Sequence, residues 1–240
     1  MVRTLEAAAS FVDDVGLALL FPKADLVLPS LWGQVAGDPA APVAVREPGG
    51  AFVRWGDGMS FLWSAKDELP AQGLVCVGKH LARVTACVAP RVVPLLVAQA
   101  DRAEPDSFEG ELVSAISSLG PSTGPELRDA VGASKRDVDR GVASLHRRLV
   151  LTSSHLVEQD AGWGALAHDL LERKWKLPKL LPPPDAARRE LAQLVLAAAG
   201  ELTAADLCGV LGWRRRMATN VLDEIAPSRD VGDFRIWAAP

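Results

Sequence analysis

The sequence predicts a mainly α-helical fold with small β wings, made of tandem winged helix-turn-helix modules. The first observation is the order of elements from Phe108 to Val157: an amphipathic helix, a short helix, a basic third helix and a β ribbon. The second is that the same pattern returns, without a gap, about eighty positions later. The matched positions are Gly120 and Gly200, Glu126 and Asp206, Leu127 and Leu207, Val131 and Leu211, Gly132 and Gly212, Arg136 and Arg216, Val142 and Leu222, and Leu145 and Ile225.

The first copy has capping residues and an apolar stripe at the spacing that its helices require. Its first helix ends at Gly120-Pro121, Thr123 is placed to cap the second helix, and Ser134 is placed to cap the third. One buried stripe on the third helix is predicted at Val138, Val142, Leu145 and Leu149. A ribbon that turns at Ser153-Ser154 is the expected wing.

The second copy repeats these signals and divides the chain. Thr203 caps its short helix, Trp213 to Glu224 form its third helix, and Ser228 to Trp237 form a wing that turns at Gly232-Asp233. The predicted domains are an N-terminal helical and β domain over 1–104, a winged helix with a trailing helix over 105–177, a proline-rich linker over 178–184 and a second winged helix over 185–240. The trailing helix is expected from Gly162 to Trp175.

The N-terminal domain has a looser, winged-helix-like order. Helices are predicted over residues 4–20, 29–37 and 55–66, and Ser30 is placed to cap the second of them. A strand pair is predicted over 74–78 and 83–88. Helices followed by a two-stranded ribbon fit a third winged helix at this end of the chain.

Composition restricts the class of protein. A hydrophobic share of 49% and a charged share of 23% are ordinary for a globular protein, and no apolar run reaches the ~18 residues of a membrane span. We therefore expect a cytoplasmic, nucleoid-associated protein without a membrane partner. The cysteines form no Cys-x-x-Cys pair, and Cys76 with His80 is the single pairing with metal-ligand character, so buried cysteines are expected, with neither metal nor cofactor. The histidines expected at the surface or at caps are His80, His146, His155 and His168.

Basic residues gather on the two third helices, although the net charge is −4. The predicted DNA contacts are Lys135, Arg136, Arg140, Arg147, Arg148, Arg214, Arg215 and Arg216. Two local basic faces on an acidic chain predict binding to double-stranded DNA through few phosphate contacts. Asp137 and Asp139 lie among the positive residues of the first copy, which makes the second copy the better candidate. The alternative is a winged-helix scaffold that binds a protein partner or a second copy of itself.

Two pairs of neighbouring carboxylates precede the repeats and are the catalytic candidates. Asp13-Asp14 and Asp67-Glu68 each offer a carboxylate that would act as general base for a water attacking a sugar carbon. Neighbouring residues on a helix point in different directions, so only one of each pair can face a cleft. The alternative is a solvated helix face for the first pair and a helix end for the second.

Several stretches resemble the AlkZ-type DNA glycosylases. They are FVDDVGLALLFP, LPSLW and SAKDELP in the N-terminal domain, and GWGALAHDLLERKW after the first winged helix. The resemblance implies tandem winged helices and the excision of alkylated bases or the unhooking of interstrand crosslinks. That family carries a catalytic Gln-x-Gln or Gln-x-Asp motif, which positions and activates the attacking water. The expectation for this chain is that its five glutamines form no Gln-x-Gln pair and that none of them has an aspartate two positions on.

These observations predict a duplex DNA-binding protein of DNA repair, genome maintenance or transcription control that is not itself catalytic. The alternative is an active DNA glycosylase for alkylated or crosslinked bases that uses one of the four carboxylates. No catalytic residue is carried over from the family, because the motif that would carry it is not matched.

Overall fold

Helices account for about half of the chain, and small antiparallel sheets accompany them. The computed structural model describes residues 1–82, 84–100, 104–158 and 164–239. Four sheets of two or three strands occur in these ranges. No helix within them is long and apolar enough to cross a membrane.

The N-terminal unit combines four helices, one three-stranded sheet and one hairpin. Its elements are α1 (Leu5–Val15), β1 (Leu17–Leu19), α2 (Leu31–Ala36), β2 (Ala44–Arg46), β3 (Phe52–Trp55), α3 (Met59–Ala71), β4 (Cys76–Leu81), β5 (Val84–Val88) and α4 (Val93–Gln99). Strand β5 lies between β1 and β4, and β2 pairs with β3 alone. The sheet therefore has its last strand in the middle.

The middle and C-terminal units share that arrangement. The middle unit contains α5 (Ser107–Leu119), β6 (Ser122–Thr123), α6 (Gly124–Val131), α7 (Lys135–Arg147), β7 (Leu151–Val157), β8 (Ala165–Leu170) and α8 (Leu171–Lys174). The C-terminal unit contains α9 (Pro184–Ala199), β9 (Glu201–Thr203), α10 (Ala204–Leu211), α11 (Arg215–Ile225), β10 (Ser228–Val231) and β11 (Phe234–Ala238). In both units the last strand of the sheet again lies between the other two.

The local signals of the sequence are confirmed at the helix starts and in the last wing. Thr123, Ser134 and Thr203 each accept a hydrogen bond from a backbone N–H of the helix that they precede. The predicted stripe of α7 is buried at all four positions. Strands β10 and β11 pair so that Val231 faces Phe234, which places the turn at Gly232-Asp233 as expected.

The predicted first wing and trailing helix are wrong. Ser153 and Ser154 do not form a turn, because they lie buried within the continuous strand β7. Its partner β8 occupies much of the stretch expected to form the helix Gly162 to Trp175, and within the described residues 164–175 only the single turn α8 is helical. Buried Ala167 and Asp169 alternate with less buried neighbours, and this period of two suits a strand. The antiparallel ladder with β7 satisfies backbone groups that an isolated strand would leave unpaired.

Two boundaries in the N-terminal unit also differ from prediction. The helix expected over 4–20 ends at Val15, because Gly16 has a positive φ of 75° and the following residues join the sheet as β1. The helix expected over 55–66 starts only at Met59 and runs to Ala71, while Trp55 ends the hairpin strand β3.

The hydrophobic cores do not follow the order of the units along the chain. Buried residues of the N-terminal and C-terminal units form one cluster, in which α9 packs against α4, and Leu149, Leu171 and Trp175 of the middle unit join it. The middle unit encloses a separate cluster made of Leu112, Ile116, Leu127, Val138, Val142, Leu145 and Leu151. It meets the N-terminal unit where α7 and β7 pack against β4 and α3.

Candidate nucleic-acid interface and histidine cluster

The basic face of α7 is partly neutralised by its own aspartates. Lys135 Nζ lies 2.6 Å from an oxygen of Asp139, and Arg140 lies 2.8 Å from an oxygen of Asp137. Arg136 is exposed on the same helix. The two aspartates therefore reduce the attraction of this face for phosphate, as the sequence predicted for the first copy.

Arg148 does not lie on the exposed face where it was expected. Its side chain is 20% exposed and forms an ion pair with Glu109, whose side chain is 8% exposed. Glu109 belongs to the capping box of α5 and also accepts from the backbone N–H of Asp106. Arg148 thus connects the end of α7 to the start of α5, because a buried carboxylate requires a cationic or hydrogen-bonding partner. Arg147, next to it, is exposed.

The start of α11 carries more unpaired positive charge than the start of α7. Arg214, Arg215 and Arg216 are exposed, and none has a carboxylate within 4.0 Å in the part of the chain that the structure describes. No side chain caps α11, and its first turn holds no acidic residue. By contrast, α7 is capped by Ser134 and carries Asp137 in its first turn. Free backbone N–H groups and the helix dipole favour an anion at such an uncapped end.

Of the four carboxylate candidates, one lines a cleft. Asp13 is exposed and pairs with Arg91 at 3.2 Å, and Asp14 is exposed on the same helix. Glu68 is exposed and accepts a hydrogen bond from Ser64. Asp67 is only 7% exposed, pairs with Lys66 at 2.6 Å and lines a cleft between the N-terminal and middle units.

That cleft has a volume of ≈ 450 Å³, and we call it the histidine cleft. Its lining residues are Lys66, Asp67, Val77, Gly78, Lys79, Thr85, Gly124, Val138, Asp139, Val142, Ala143, His146, Ser153, Leu166 and His168. Apolar walls with a few convergent polar groups are typical of small-molecule sites. The two carboxylates and two lysines provide opposite charges on the same lining.

Three histidines form a row at this cleft, in which His146 and His168 belong to the lining and His80 lies behind it, so the prediction that they lie at the surface or at caps is wrong. His80 Nδ1 donates to the backbone oxygen of His146 at 2.9 Å, since a carbonyl oxygen can only accept. His146 Nε2 and His168 Nδ1 lie 3.1 Å apart. His80 Nε2, left as the acceptor, lies 3.5 Å from the Sγ of Cys76. His155 is not part of this row of histidines and contacts Ser154 instead.

Burial keeps these imidazoles neutral near pH 7. Burial is the largest cause that lowers the pKa of His80 and of His168 to about 4. For His146, burial and the neighbouring His80 hold the pKa well below its ordinary value of 6.5. Burial also raises the pKa of the Cys76 thiol to about 12, which keeps it protonated. The cluster therefore supplies neutral donors and acceptors and no positive charge.

Close packing surrounds the cluster. A Cβ at Gly78 would lie 2.5 Å from His80 Nε2 and 2.6 Å from His146 Nδ1, so these imidazoles leave no room for a side chain there. His146 Nδ1 is buried and has no hydrogen-bond partner in the part of the chain that the structure describes. Among those residues, no group of three or more His, Cys, Asp or Glu side chains could hold a metal ion.

The sequence contains a signal for two of these histidines. His146 lies four residues after Val142 and one after Leu145, so it extends the apolar stripe of α7. His80 lies at the period of two set by Cys76 and Gly78 in β4, on the same face of the strand. No local pattern could show that His168 would join them, because that contact depends on the pairing of β8 with β7.

One Gln-x-Asp spacing does occur, at Gln99 and Asp101, so the expectation that the chain lacks this spacing is wrong. Asp101 lies outside the described residues. Gln99 ends α4, and its Oε1 accepts from Trp213 Nε1 at 2.8 Å. Trp213 is 8% exposed and precedes α11, so it packs inside the molecule. The amide oxygen of Gln99 therefore has a structural partner.

Comparison with known proteins gives two matches. A family model described as DNA glycosylase AlkZ-like matches residues 78–238, more than half of the chain. Among solved structures, the DNA glycosylase AlkZ of Streptomyces sahachiroi is similar, with a TM-score of 0.55 and 16% sequence identity over 97% of this chain. The chain spans 64% of the length of that structure, and at this identity the likeness shows the fold alone. No curated protein matches the sequence.

The matched region runs from within β4 to β11. It therefore includes the three clustered histidines and the basic starts of α7 and α11. The model is of a family of DNA glycosylases, which relates the chain to DNA repair. From the extent of this match we conclude that the chain belongs to the AlkZ-like DNA glycosylase family.

Proposed function

We propose that this protein binds duplex DNA in DNA repair, and that its middle and C-terminal units act as winged helix-turn-helix modules. The observation that carries the proposal is the start of α11, where three exposed arginines lie at a helix end without a side-chain cap. Phosphate groups are the anions that guanidinium groups and free helix N–H groups bind well. The strand order that the middle and C-terminal units share supports their assignment as winged helices.

The middle unit would contribute fewer contacts than the C-terminal unit. Arg136 and Arg147 are exposed, whereas Lys135 and Arg140 must leave their aspartates before they bind phosphate. Arg148 is held by Glu109 and is dropped from the proposed contacts. The proposed interface therefore consists mainly of Arg214, Arg215 and Arg216, with support from α7.

The test is fluorescence anisotropy with a labelled duplex of about 25 base pairs across a salt series. For the wild type, the logarithm of the affinity should fall linearly with the logarithm of the salt concentration, because binding releases counterions. Changing Arg214, Arg215 and Arg216 together to alanine should reduce that slope by up to about 3, one for each lost phosphate contact.

The matched control removes three positive charges from loops instead. Lys23, Lys176 and Lys179 are exposed, and none belongs to a third helix. Changing them together to alanine should leave the slope close to that of the wild type. Equal losses in both triple variants would show that only net charge matters, and an absence of wild-type binding at ~50 mM salt would refute the proposal.

A second candidate function is base excision, favoured by the position of Asp67. Its carboxylate is buried at a cleft that also presents His146 and His168, whereas the other three carboxylate candidates are exposed. A carboxylate at a cleft can accept a proton from water while that water attacks a sugar carbon. Base excision contradicts the prediction that the protein is not catalytic, so its glycosylase activity must be measured.

The measurement is the formation of abasic sites in alkylated duplex DNA. If Asp67 is the general base, Asp67→Asn should reduce the rate by a factor of about 10² or more, since general base catalysis contributes roughly that much. Glu68→Gln, at the neighbouring exposed position, is the control and should retain the wild-type rate. A wild-type protein that binds duplex but forms no abasic sites would rule out base excision and leave DNA binding as the function.

A further inference from the structure

A second cleft, of ≈ 630 Å³, lies where all three units meet, and we call it the arginine cleft. Four arginines line it: Arg147, Arg148, Arg188 and Arg214. None of its lining residues, all of them described, is an aspartate or a glutamate. On a chain with a net charge of −4, a concave surface of this kind concentrates positive potential in one place.

After ion pairing, these arginines still carry positive charge that no carboxylate neutralises and one N–H donor without an acceptor. Arg148 pairs with Glu109, and Arg188 Nη1 pairs with Asp185 at 2.6 Å. Arg147 and Arg214 are exposed and have no carboxylate partner within the described ranges. The Nε of Arg188 is buried and, among the same residues, has no hydrogen-bond acceptor. A buried N–H without an acceptor is unfavourable, and an anion in the cleft would supply the acceptor.

Hydrogen bonds to the N-terminal unit hold two walls of the cleft in place. His80, itself on the lining, donates to the backbone oxygen of His146 at the end of α7, directly before Arg147. Gln99 accepts from Trp213, directly before Arg214. The third wall is α9, which carries Arg188 and packs against α4. The arginines therefore converge on a cleft that is already formed, which lowers the entropic cost of binding a ligand.

We propose that the arginine cleft binds a phosphate group through Arg147, Arg188 and Arg214. A guanidinium group presents planar paired donors that match phosphate oxygens, and three from different elements can surround one phosphate. Arg188 is not on either third helix, so it adds a contact that the helix-turn-helix pattern does not include. The proposal rests on the proposed DNA binding for the source of the phosphate, which is the backbone of the bound strand.

The same chemistry fits a free phosphate, and two measurements distinguish the sources. In the first, anisotropy with the 25 base-pair duplex compares Arg188→Gln with Arg189→Gln across the salt series. Arg189 is the matched control, because it is the next residue of α9, is exposed and pairs with Glu224 at 3.2 Å. We expect Arg188→Gln to reduce the salt slope by about 1 and Arg189→Gln to leave it unchanged.

In the second measurement, the melting temperature is recorded in inorganic phosphate and in chloride at equal ionic strength. A ligand that binds only the folded state raises the melting temperature. A rise in the wild type and Arg189→Gln that is absent in Arg188→Gln would support the site with free phosphate as ligand. Arg147→Gln, a change at an exposed position, repeats both measurements if Arg188→Gln does not fold.

The outcomes separate this proposal from the proposed function. If the wild type binds duplex while Arg188→Gln and Arg189→Gln behave alike in both measurements, the phosphate site is refuted and DNA binding stands. If the wild type binds no duplex, the proposed function fails. The melting temperature in phosphate then tests the phosphate site by itself. Equal melting temperatures in phosphate and chloride would refute that site as well.

Discussion

At the scale of single residues, the buried histidines make stability depend on pH. In an unfolded chain a histidine has a pKa near 6.5, whereas His80 and His168 have a pKa of about 4 in the fold. Between these values the unfolded state binds protons that the folded state does not, so stability increases with pH in this window. The stability is therefore fully present above about pH 6.5 and is lost as the pH falls towards 4. For a shift of this size the loss is roughly 3 kcal/mol per histidine.

The first prediction is that His168→Gln has a flatter stability profile than the wild type between pH 6.5 and 4. Glutamine retains a polar side chain in the cleft but does not titrate, so the difference between the two proteins should shrink as the pH falls. Chemical denaturation at several pH values measures it. Ser153→Ala is the control, because Ser153 faces His168 across the ladder and does not titrate. A constant difference between wild type and His168→Gln over this range would contradict the prediction.

At the scale of elements, the two third helices start differently. Helix α7 has a serine cap, whereas α11 begins after Arg214, whose φ of −70° and ψ of 141° suit a capping residue but whose side chain caps nothing. A serine at a helix start typically contributes about 1 kcal/mol relative to a residue that cannot cap. The C-terminal unit therefore has a less stable helix start that presents positive charge.

The second prediction follows from this difference: Arg214→Ser should stabilise the protein and weaken DNA binding. We expect a gain of about 1 kcal/mol in the free energy of unfolding, from the new cap, and a salt slope smaller by about 1. Ser134→Ala, the matched change on α7, should lower stability by about 1 kcal/mol. Denaturation and anisotropy on the same samples test both effects. A variant that gains stability and keeps its full DNA affinity would show that Arg214 does not contact phosphate.

At the scale of the whole molecule, the N-terminal and C-terminal units share a core that Leu149, Leu171 and Trp175 of the middle unit also join, and the rest of the middle unit has its own core. Residues far apart in the chain, such as Val12 and Leu191, belong to the shared cluster, while Leu127 belongs to the separate one. A continuous core couples the unfolding of the elements that line it. The N-terminal and C-terminal units should therefore open together, along with Leu149, Leu171 and Trp175, and independently of the separate core of the middle unit.

The third prediction compares Leu191→Ala with Leu127→Ala, both fully buried leucines. Each change should cost about 2 to 5 kcal/mol locally, because a cavity replaces the lost side chain. Hydrogen exchange should then be faster in α4 and α9 for Leu191→Ala, and faster in α5 and α6 for Leu127→Ala. The same exchange pattern in both variants would indicate a single cooperative unit and contradict the division of the cores.

Much of the fold could be predicted from local patterns in the sequence. The caps Thr123, Ser134 and Thr203, the stripe of α7 and the last wing depend on residues within a few positions of one another, so spacing alone predicts them. The residues of the candidate site could be predicted from the sequence only in part. The arginines at the start of α11 were predicted from the sequence, but the ion pair of Arg148 and the buried positions of His80 and His146 were not. Their partners lie far away along the chain, as Glu109 does for Arg148 and His168 for His146, and no local spacing describes such contacts.

By itself, therefore, the sequence determined the helix starts that Thr123, Ser134 and Thr203 cap, the repeated order of elements and the charge of each third helix, because these follow from side chains close in the chain. Only the tertiary structure decided which strand pairs with β7, and that pairing brings His168 to His146. It also decided that α7, α9 and the turn before α11 surround one cleft. The reason is that packing between units depends on the complementary shape of whole surfaces, and residue spacing within one element does not encode that shape.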